Sequence, residues 1–90
     1  MRIAFDPSKD RSNIARHGLT LALARDLVWD EALVWVDDRF EYDEIRMIGL
    51  VPLGDRLYCV AFADRASERR IISLRFAERR EVKHYAQNYP

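Results

Sequence analysis

Between Ile71 and Phe76 the chain alternates. Ile72, Leu74 and Phe76 stand against Ile71, Ser73 and Arg75, which predicts a strand with Ser73 and Arg75 on its more polar face. Just past Ala77 the rhythm changes: Val82, Tyr85, Ala86 and Tyr89 recur at helical spacing, which predicts a helix over Glu78 to Asn88. Arg79, Arg80 and Lys83 fall off that apolar stripe. Upstream, Arg56 to Ala63 is apolar almost throughout and reads as a central strand covered on both faces. Glu44 to Val51 splits into Arg46, Ile48, Leu50 and Met47, Gly49, Val51, another strand, and Pro52 with Gly54-Asp55 should stop it in a hairpin turn. Asp64 to Ser67 forms a second tight connection, and Ala32 to Val36 is apolar and partly β-branched, hence a strand. Asp37 to Asp43 is a polar connection holding Phe40 and Tyr42.

The N-terminal third reads as a short strand, Arg2 to Phe5, followed by helices. Asp6 caps the first, Pro7 suits its first position, and Gly18 ends it after His17. Thr20 caps a second, whose apolar face is Leu23, Ala24, Leu27 and Val28 and which closes at Trp29 and Asp30. The order β-α-α-β-β-β-β-α predicts an α+β fold: a compact, meandering antiparallel β-sheet with helices packed on it.

The chain of 90 residues fits a single domain, residues 1–90. Fifteen basic against 15 acidic residues argue against gripping nucleic acid by bulk charge. The signs are uneven, though: acids are frequent from Asp26 to Asp55 and arginines crowd Arg65 to Arg80. The one cysteine, Cys59, rules out a disulfide within the chain and sits in an apolar run, so it reads as a buried thiol in a reducing, cytoplasmic setting. No apolar run approaches the ~20 residues of a membrane span, so no membrane partner is expected.

Histidines, Cys59 and the acids show no metal-ligand spacing, so neither a metal nor a cofactor is expected. Glycine-rich phosphate loops and nucleophile elbows are absent too. His17, at a helix C-terminus where the macrodipole favours its cation, is a helix-end histidine or a phosphate ligand or acid. His84 reads as surface, and Trp29, Trp35, Phe40 and Tyr42 as core before base-stacking groups. What remains is the arginines around the last strand: Arg65, Arg69, Arg70, Arg75, Arg79 and Arg80. A guanidinium grips phosphate through paired hydrogen bonds and stays charged at any workable pH. Attack on RNA by its own 2′-hydroxyl needs a base, an acid and cations on the phosphorane. Glu78, Glu81 and Tyr85 are within reach of this junction, or the two acids simply pair with Arg79, Arg80 and Lys83 on an exposed helix.

The chain resembles the BrnT family of toxins. The resemblance rests on FDPSKDRSNIARHG (Phe5 to Gly18), on EIRMIGLV followed by a hairpin and RLYCVAFADR, and on RIISLRFAERREVKHY (Arg70 to Tyr85). In the first segment Asp6, Pro7, Lys9, Asn13, His17 and Gly18 stand in the family's places. The resemblance implies a RelE-like fold, metal-free RNA cleavage with growth arrest, and a BrnA-like ribbon-helix-helix antitoxin. Operator DNA would be bound only through the toxin–antitoxin complex. It carries over Arg65, Arg75, Arg79, Arg80, Glu81 and Tyr85 as site candidates. Three positions depart from the family pattern: Leu74 replaces alanine, Phe76 a commonly basic residue, and Glu78 a threonine or serine that would cap the helix.

These expectations assign Arg75 and Arg79 to the scissile phosphate, Arg65 and Arg80 to its support, Glu81 to the base and Tyr85 to the acid, with His17 as the substitute. A competing reading, favoured by the zero net charge and Phe76, is a binding module whose arginines hold an acidic antitoxin segment. A third, a stand-alone nucleic-acid-binding domain, would show binding that weakens steeply with salt.

Overall fold

The computed structural model describes residues 1–89. Its elements are β1 (Arg2–Ala4), α1 (Pro7–His17), two short 3-10 turns (Leu21–Arg25 and Trp29–Glu31), β2 (Leu33–Val36), β3 (Met47–Leu53), β4 (Arg56–Arg65), β5 (Glu68–Phe76) and α2 (Arg79–Asn88). The class is α+β, with one five-stranded sheet in the order β1-β5-β4-β3-β2. The long apolar strand β4 is central, as its composition implies. Among the described residues no helix is long and apolar enough to cross a membrane.

The local signals at α1 act as read. Asp6 accepts from the Ser8 N–H, and Gly18 takes the left-handed conformation at φ 72° while its N–H bonds to the Ile14 carbonyl. The second helix is corrected to the two 3-10 turns. Thr20 does cap the first of them, but the turn ends at Asp26 after burying Leu21 and Ala24, and Val28 is exposed. A tight turn suffices because the segment only has to plug one sheet face. Pro52, expected to end β3, lies inside it, paired with Leu57. Strand β2 stops at the register of Leu50, so no neighbour on that side asks Pro52 for an N–H.

The sheet is mixed rather than antiparallel throughout. β2 to β5 meander antiparallel, but β1 joins the far edge parallel to β5, Ile3 beside Arg69. A second correction concerns β5. Ala61 pairs with Ser73 and Phe62 with Ile71, so Ile72 is a bulge without a partner. The bulge resets the alternation, putting Ile71 on the same face as Leu74, where both are fully buried.

One sheet face, with Val51, Tyr58, Val60, Phe62, Ile71 and Leu74, is sealed by Leu21, Ala24 and Leu27. The other carries Ile48, Leu50 and Cys59 and is only half covered. There Ala77, just before α2, and Tyr85 of α2 pack against it, but α2 buries no residue completely, and Val82 stays exposed. The uncovered half, over Ile48, Ala61 and Ser73, is open.

Candidate active site

The open half of that face forms a cleft of about 260 Å³, lined among others by Trp35, Asp37, Arg39, Cys59, Ser73 and Arg75. Register explains the gathering. Arg75 pairs with Cys59 across β4–β5, Ser73 with Ala61, and Trp35 with Ile48 across β2–β3, so these side chains project from one face.

Arg75 is half-buried and fixed at one end of the cleft. Its Nη1 donates to Glu81 Oε1 at 2.8 Å and to the Phe76 carbonyl at 3.2 Å, and its Nη2 donates to Glu81 Oε2 at 3.0 Å. Glu81 thus holds the end of the guanidinium. The side fork, Nε–H with the second Nη2–H, has no partner among the described residues. That fork has the geometry to take two oxygens of a phosphate. Glu81 also accepts from the Glu78 N–H at 2.7 Å, so the first turn of α2 is capped by the same carboxylate that aims Arg75. Glu78 is itself the N-cap and completes a capping box with Glu81, so the cap expected to be missing is present. Burial opposes the Glu81 charge, but the bonds from Arg75 and Glu78 outweigh it and hold its titration below the ordinary carboxylate range. Glu81 also keeps Arg75 firmly protonated.

Sequence reasoning missed Arg39. It leaves the polar connection after β2 and is anchored by the buried Asp37, with Nε to Oδ1 at 2.7 Å and Nη2 to Oδ2 at 2.9 Å. Here the side fork is spent and the end of the guanidinium is free. Two arginines, each braced by its own carboxylate, therefore border one cleft. A signal existed in the Asp-x-Arg spacing of a polar loop, but only the fold brings that loop to Arg75.

The Arg39 bonds, with the Tyr42 hydroxyl at 3.2 Å from Asp37, hold the Asp37 pKa down at about 2. A carboxylate depressed in the folded state stabilises it above the unfolded pKa and loses that contribution as pH falls through the folded one. The Asp37 contribution, about 2 kcal/mol at 1.36 kcal/mol per unit, should vanish between about pH 4 and pH 2. Asp37→Asn should therefore melt at lower denaturant concentration at neutral pH and show a flatter acid limb over that range. An acid limb identical to wild type would contradict this role.

Cys59 lies in the cleft floor, and burial pushes its thiol up to about 11, so it is protonated and a poor nucleophile at neutral pH. His17, at the end of α1, is half-buried. Burial first, then the Arg16 and Arg75 cations, lowers its pKa. The expected cationic bias from the helix end is corrected: desolvation and two guanidiniums outweigh the dipole. The fold does bring His17 within electrostatic reach of Arg75.

The other expected residues are dispersed. Arg65 pairs with Glu44 at 3.2 Å, six residues along β4 from the register of Arg75, roughly 20 Å at ~3.4 Å per residue. Arg69 is bound by Asp64 and stacks on Trp29 and Phe62 on the opposite face, and Arg70 pairs with Glu44. Arg79 and Arg80 are exposed on α2, Arg80 only loosely near Glu78 at 4.0 Å. The Tyr85 hydroxyl donates to the Glu31 carbonyl at 2.6 Å, tying α2 to the second 3-10 turn. Among the described residues no group of three or more His, Cys, Asp or Glu side chains converges as metal ligands do.

A search of curated proteins finds no match to this sequence. The family profile described as "Ribonuclease toxin, BrnT, of type II toxin-antitoxin system" matches residues 5–81, a span that contains Arg39, Ser73, Arg75 and Glu81. That span covers most of the 90 residues. The chain therefore belongs to the BrnT family of ribonuclease toxins of type II toxin–antitoxin systems.

Proposed function

We propose that this toxin cleaves RNA without a metal ion, in the cleft over Ile48, Ala61 and Ser73, with Arg75 and Arg39 holding the scissile phosphate. The observation that carries the reading is the free side fork of Arg75, aimed by Glu81. The 2′-hydroxyl attacks phosphorus in line, the bond to the 5′-oxygen breaks, and a cyclic phosphate and a 5′-hydroxyl result. Preorganised cations stabilise the charge that builds on the phosphorane.

Glu81 acts through Arg75 rather than as the base, since both its oxygens are engaged and its titration is depressed. His17, neutral at physiological pH and close enough to feel Arg75, takes the 2′ proton. Tyr85 is left as an anchor for α2, its proton committed to Glu31, and the leaving oxygen is protonated from solvent. Arg79 and Arg80 steer RNA from the exposed face of α2, and Arg65 lies outside the cleft.

A type II toxin has a protein antitoxin as its partner. As proposals we add a BrnA-like ribbon-helix-helix identity for that partner, operator binding through the complex, a RelE-like fold and a cytoplasmic site of action. A second reading is a catalytically weak module that chiefly holds the antitoxin. It draws on the exposed Val82 of α2 and on Phe76, exposed at the end of β5 on the face away from the cleft.

The test is cleavage of labelled RNA by the antitoxin-free protein in EDTA, across pH. Wild type should cut, with a rising limb below the ordinary histidine pKa of ~6.5 and a plateau by neutral pH. His17→Ala should lose that limb and about 10²-fold in rate. Cleavage abolished by EDTA would end the metal-free reading. A limb that survives in His17→Ala would remove the base from His17. No turnover of any RNA would favour the binding module.

A further inference from the structure

A second groove, of about 240 Å³, runs between α1 and the outer edge of β5. Lys9, Ser12, Asn13 and Arg16 line it from the helix, Arg46 from just before β3, and Ile72 and Ser73 form its floor. Ser73 also lines the cleft that holds Arg75, so the two depressions adjoin at one residue. The bulge at Ile72 opens this floor, because β5 has no neighbouring strand there: β1 stops at the register of Arg70.

The charges in the groove differ from those elsewhere. Arg2, Arg39, Arg65, Arg69, Arg70 and Arg75 each sit on a carboxylate; Arg11, Arg25, Arg56, Arg79 and Lys83 share with Lys9, Arg16 and Arg46 the lack of a salt bridge among the described residues, but only in this groove do three such cations line one depression. Lys9 and Arg16 are two helical turns apart on one face of α1, about 10 Å along its axis at ~1.5 Å per residue. The guanidinium of Arg46 is stacked 4.1 Å over the Tyr42 ring, which steadies it without neutralising it, and its Nε is buried without a partner. Three uncompensated cations in a protein of zero net charge make a local anion site, and their spread suits a polyanion better than a single ion. The lining is polar apart from Ile72. A protein partner would instead want an apolar centre.

We infer that this groove is a second phosphate subsite, in which Lys9, Arg16 and Arg46 bind the backbone of the single-stranded RNA whose scissile phosphate lies at Arg75. The inference rests on the reading of the cleft as a ribonuclease site. It assigns the direction of the strand: the RNA passes over Ser73 and continues along α1. Such contacts carry no sequence information and set affinity and register.

The probe is a 2′-O-methyl hexanucleotide, which lacks the attacking hydroxyl, titrated against the antitoxin-free protein over a range of salt. A 2′-O-methyl dinucleotide with one phosphate is the short control. Lys9→Ala with Arg16→Ala should weaken hexanucleotide binding at least tenfold and reduce the salt slope by about 1.4, ~0.7 for each lost contact. Dinucleotide binding should stay unchanged. Both positions are exposed on α1 and alanine is a good helix former, and a circular dichroism melt confirms the fold. Hexanucleotide binding and slope equal to wild type would overturn the subsite, as would a wild type that binds the hexanucleotide no better than the dinucleotide. Loss of antitoxin pairing with RNA binding intact would also overturn it, making the groove an antitoxin seat. Arg75→Ala, run on unmodified RNA, reports separately on the cleft. Full cleavage there sinks the catalytic reading, whereas a dead Arg75→Ala beside an unaltered double variant sinks only the groove.

Discussion

Arg75→Lys should lower kcat for RNA cleavage by about 10²–10³-fold, the loss of about 2.7–4 kcal/mol expected when one preorganised donor to a developing oxyanion is removed. Lysine keeps the positive charge, so a simple electrostatic role would survive the change. What it cannot keep is the division of labour on the guanidinium. In the wild type the end fork is held by both Glu81 oxygens at 2.8 and 3.0 Å while the side fork remains free. An ammonium is a point charge on a flexible stem. It would follow Glu81, whose side chain is only 15% exposed and strongly favours a cation, and would offer the phosphate nothing aimed. The fall should appear in kcat more than in KM, because the aimed fork matters most where charge builds. Arg75→Ala should be at least as inactive, but it also strands the Glu81 carboxylate beside Cys59 and weakens the start of α2. The lysine variant is therefore the cleaner probe. A kcat for Arg75→Lys within threefold of wild type, in a variant that melts normally, would remove Arg75 from the chemistry.

The contrast with the neighbouring arginines follows from their partners. Arg69 and Arg70 are as close in sequence to the strand centre as Arg75, yet the sheet sends one to the opposite face and binds each to an acid. Arg79 and Arg80 share the helix that carries Glu81, but two residues and one residue of helix rotation, respectively, turn them to solvent. Being near the junction in sequence does not place a cation in the cleft. Facing the same side of the sheet as Cys59 and Ser73, at their end of β5, does; Arg70 faces that side too but lies further along the strand, held by Glu44.

Signals that act within a few residues were legible. Asp6, Pro7 and Gly18 bounded α1, and Gly54-Asp55 placed the β3–β4 hairpin, because caps and turns are decided by local backbone chemistry. The apolar run of β4 told its central place in the sheet, though the cover expected on both faces is complete only on the Val60 and Phe62 side. Less legible was anything set by distant partners. The parallel docking of β1 pairs residues 66 apart in the chain, Arg2 with Glu68. The bulge at Ile72 leaves no composition signal, and strict alternation assigned Ile71 to the wrong face. The 3-10 turns share helical spacing with an α-helix over so short a span that Leu23, Ala24 and Leu27 could not separate them. Of the candidates named from local pattern and resemblance, the fold pairs Arg75 with Glu81 at the cleft and leaves His17 outside its lining, whereas Arg39, which does line it, was not named, since only the antiparallel β2–β3 pairing brings its loop across to β5.

The largest loss of stability should come from Asn13→Ala, about 3–5 kcal/mol. Asn13 is the buried residue of α1, and its side chain stands in for the strand that β5 lacks. Nδ2 donates to the Leu74 carbonyl at 2.8 Å and to the Leu19 carbonyl at 2.8 Å, and Oδ1 accepts from the Leu74 N–H at 3.0 Å. One amide therefore satisfies both backbone groups of Leu74 where β1 has already ended. Truncation leaves three polar groups without partners beside the fully buried Leu74, each costing about 1–3 kcal/mol when water cannot reach it. Partial hydration brings the sum down to the stated range. Against a total of roughly 5–13 kcal/mol for a chain of this length, Tm should fall by about 12–40 °C, at ~4–8 °C per kcal/mol. Asn13→Asp separates hydrogen bonding from packing: it fills the same volume, but a carboxylate would face two carbonyl oxygens and should destabilise as much as alanine. The effect also reaches function, because α1 carries His17 to the neighbourhood of Arg75 and Lys9 and Arg16 to the second groove. If Asn13→Ala and Asn13→Asp both melt within a few degrees of wild type, the helix is held to the sheet by something other than this amide. The placing of His17 would then need another cause.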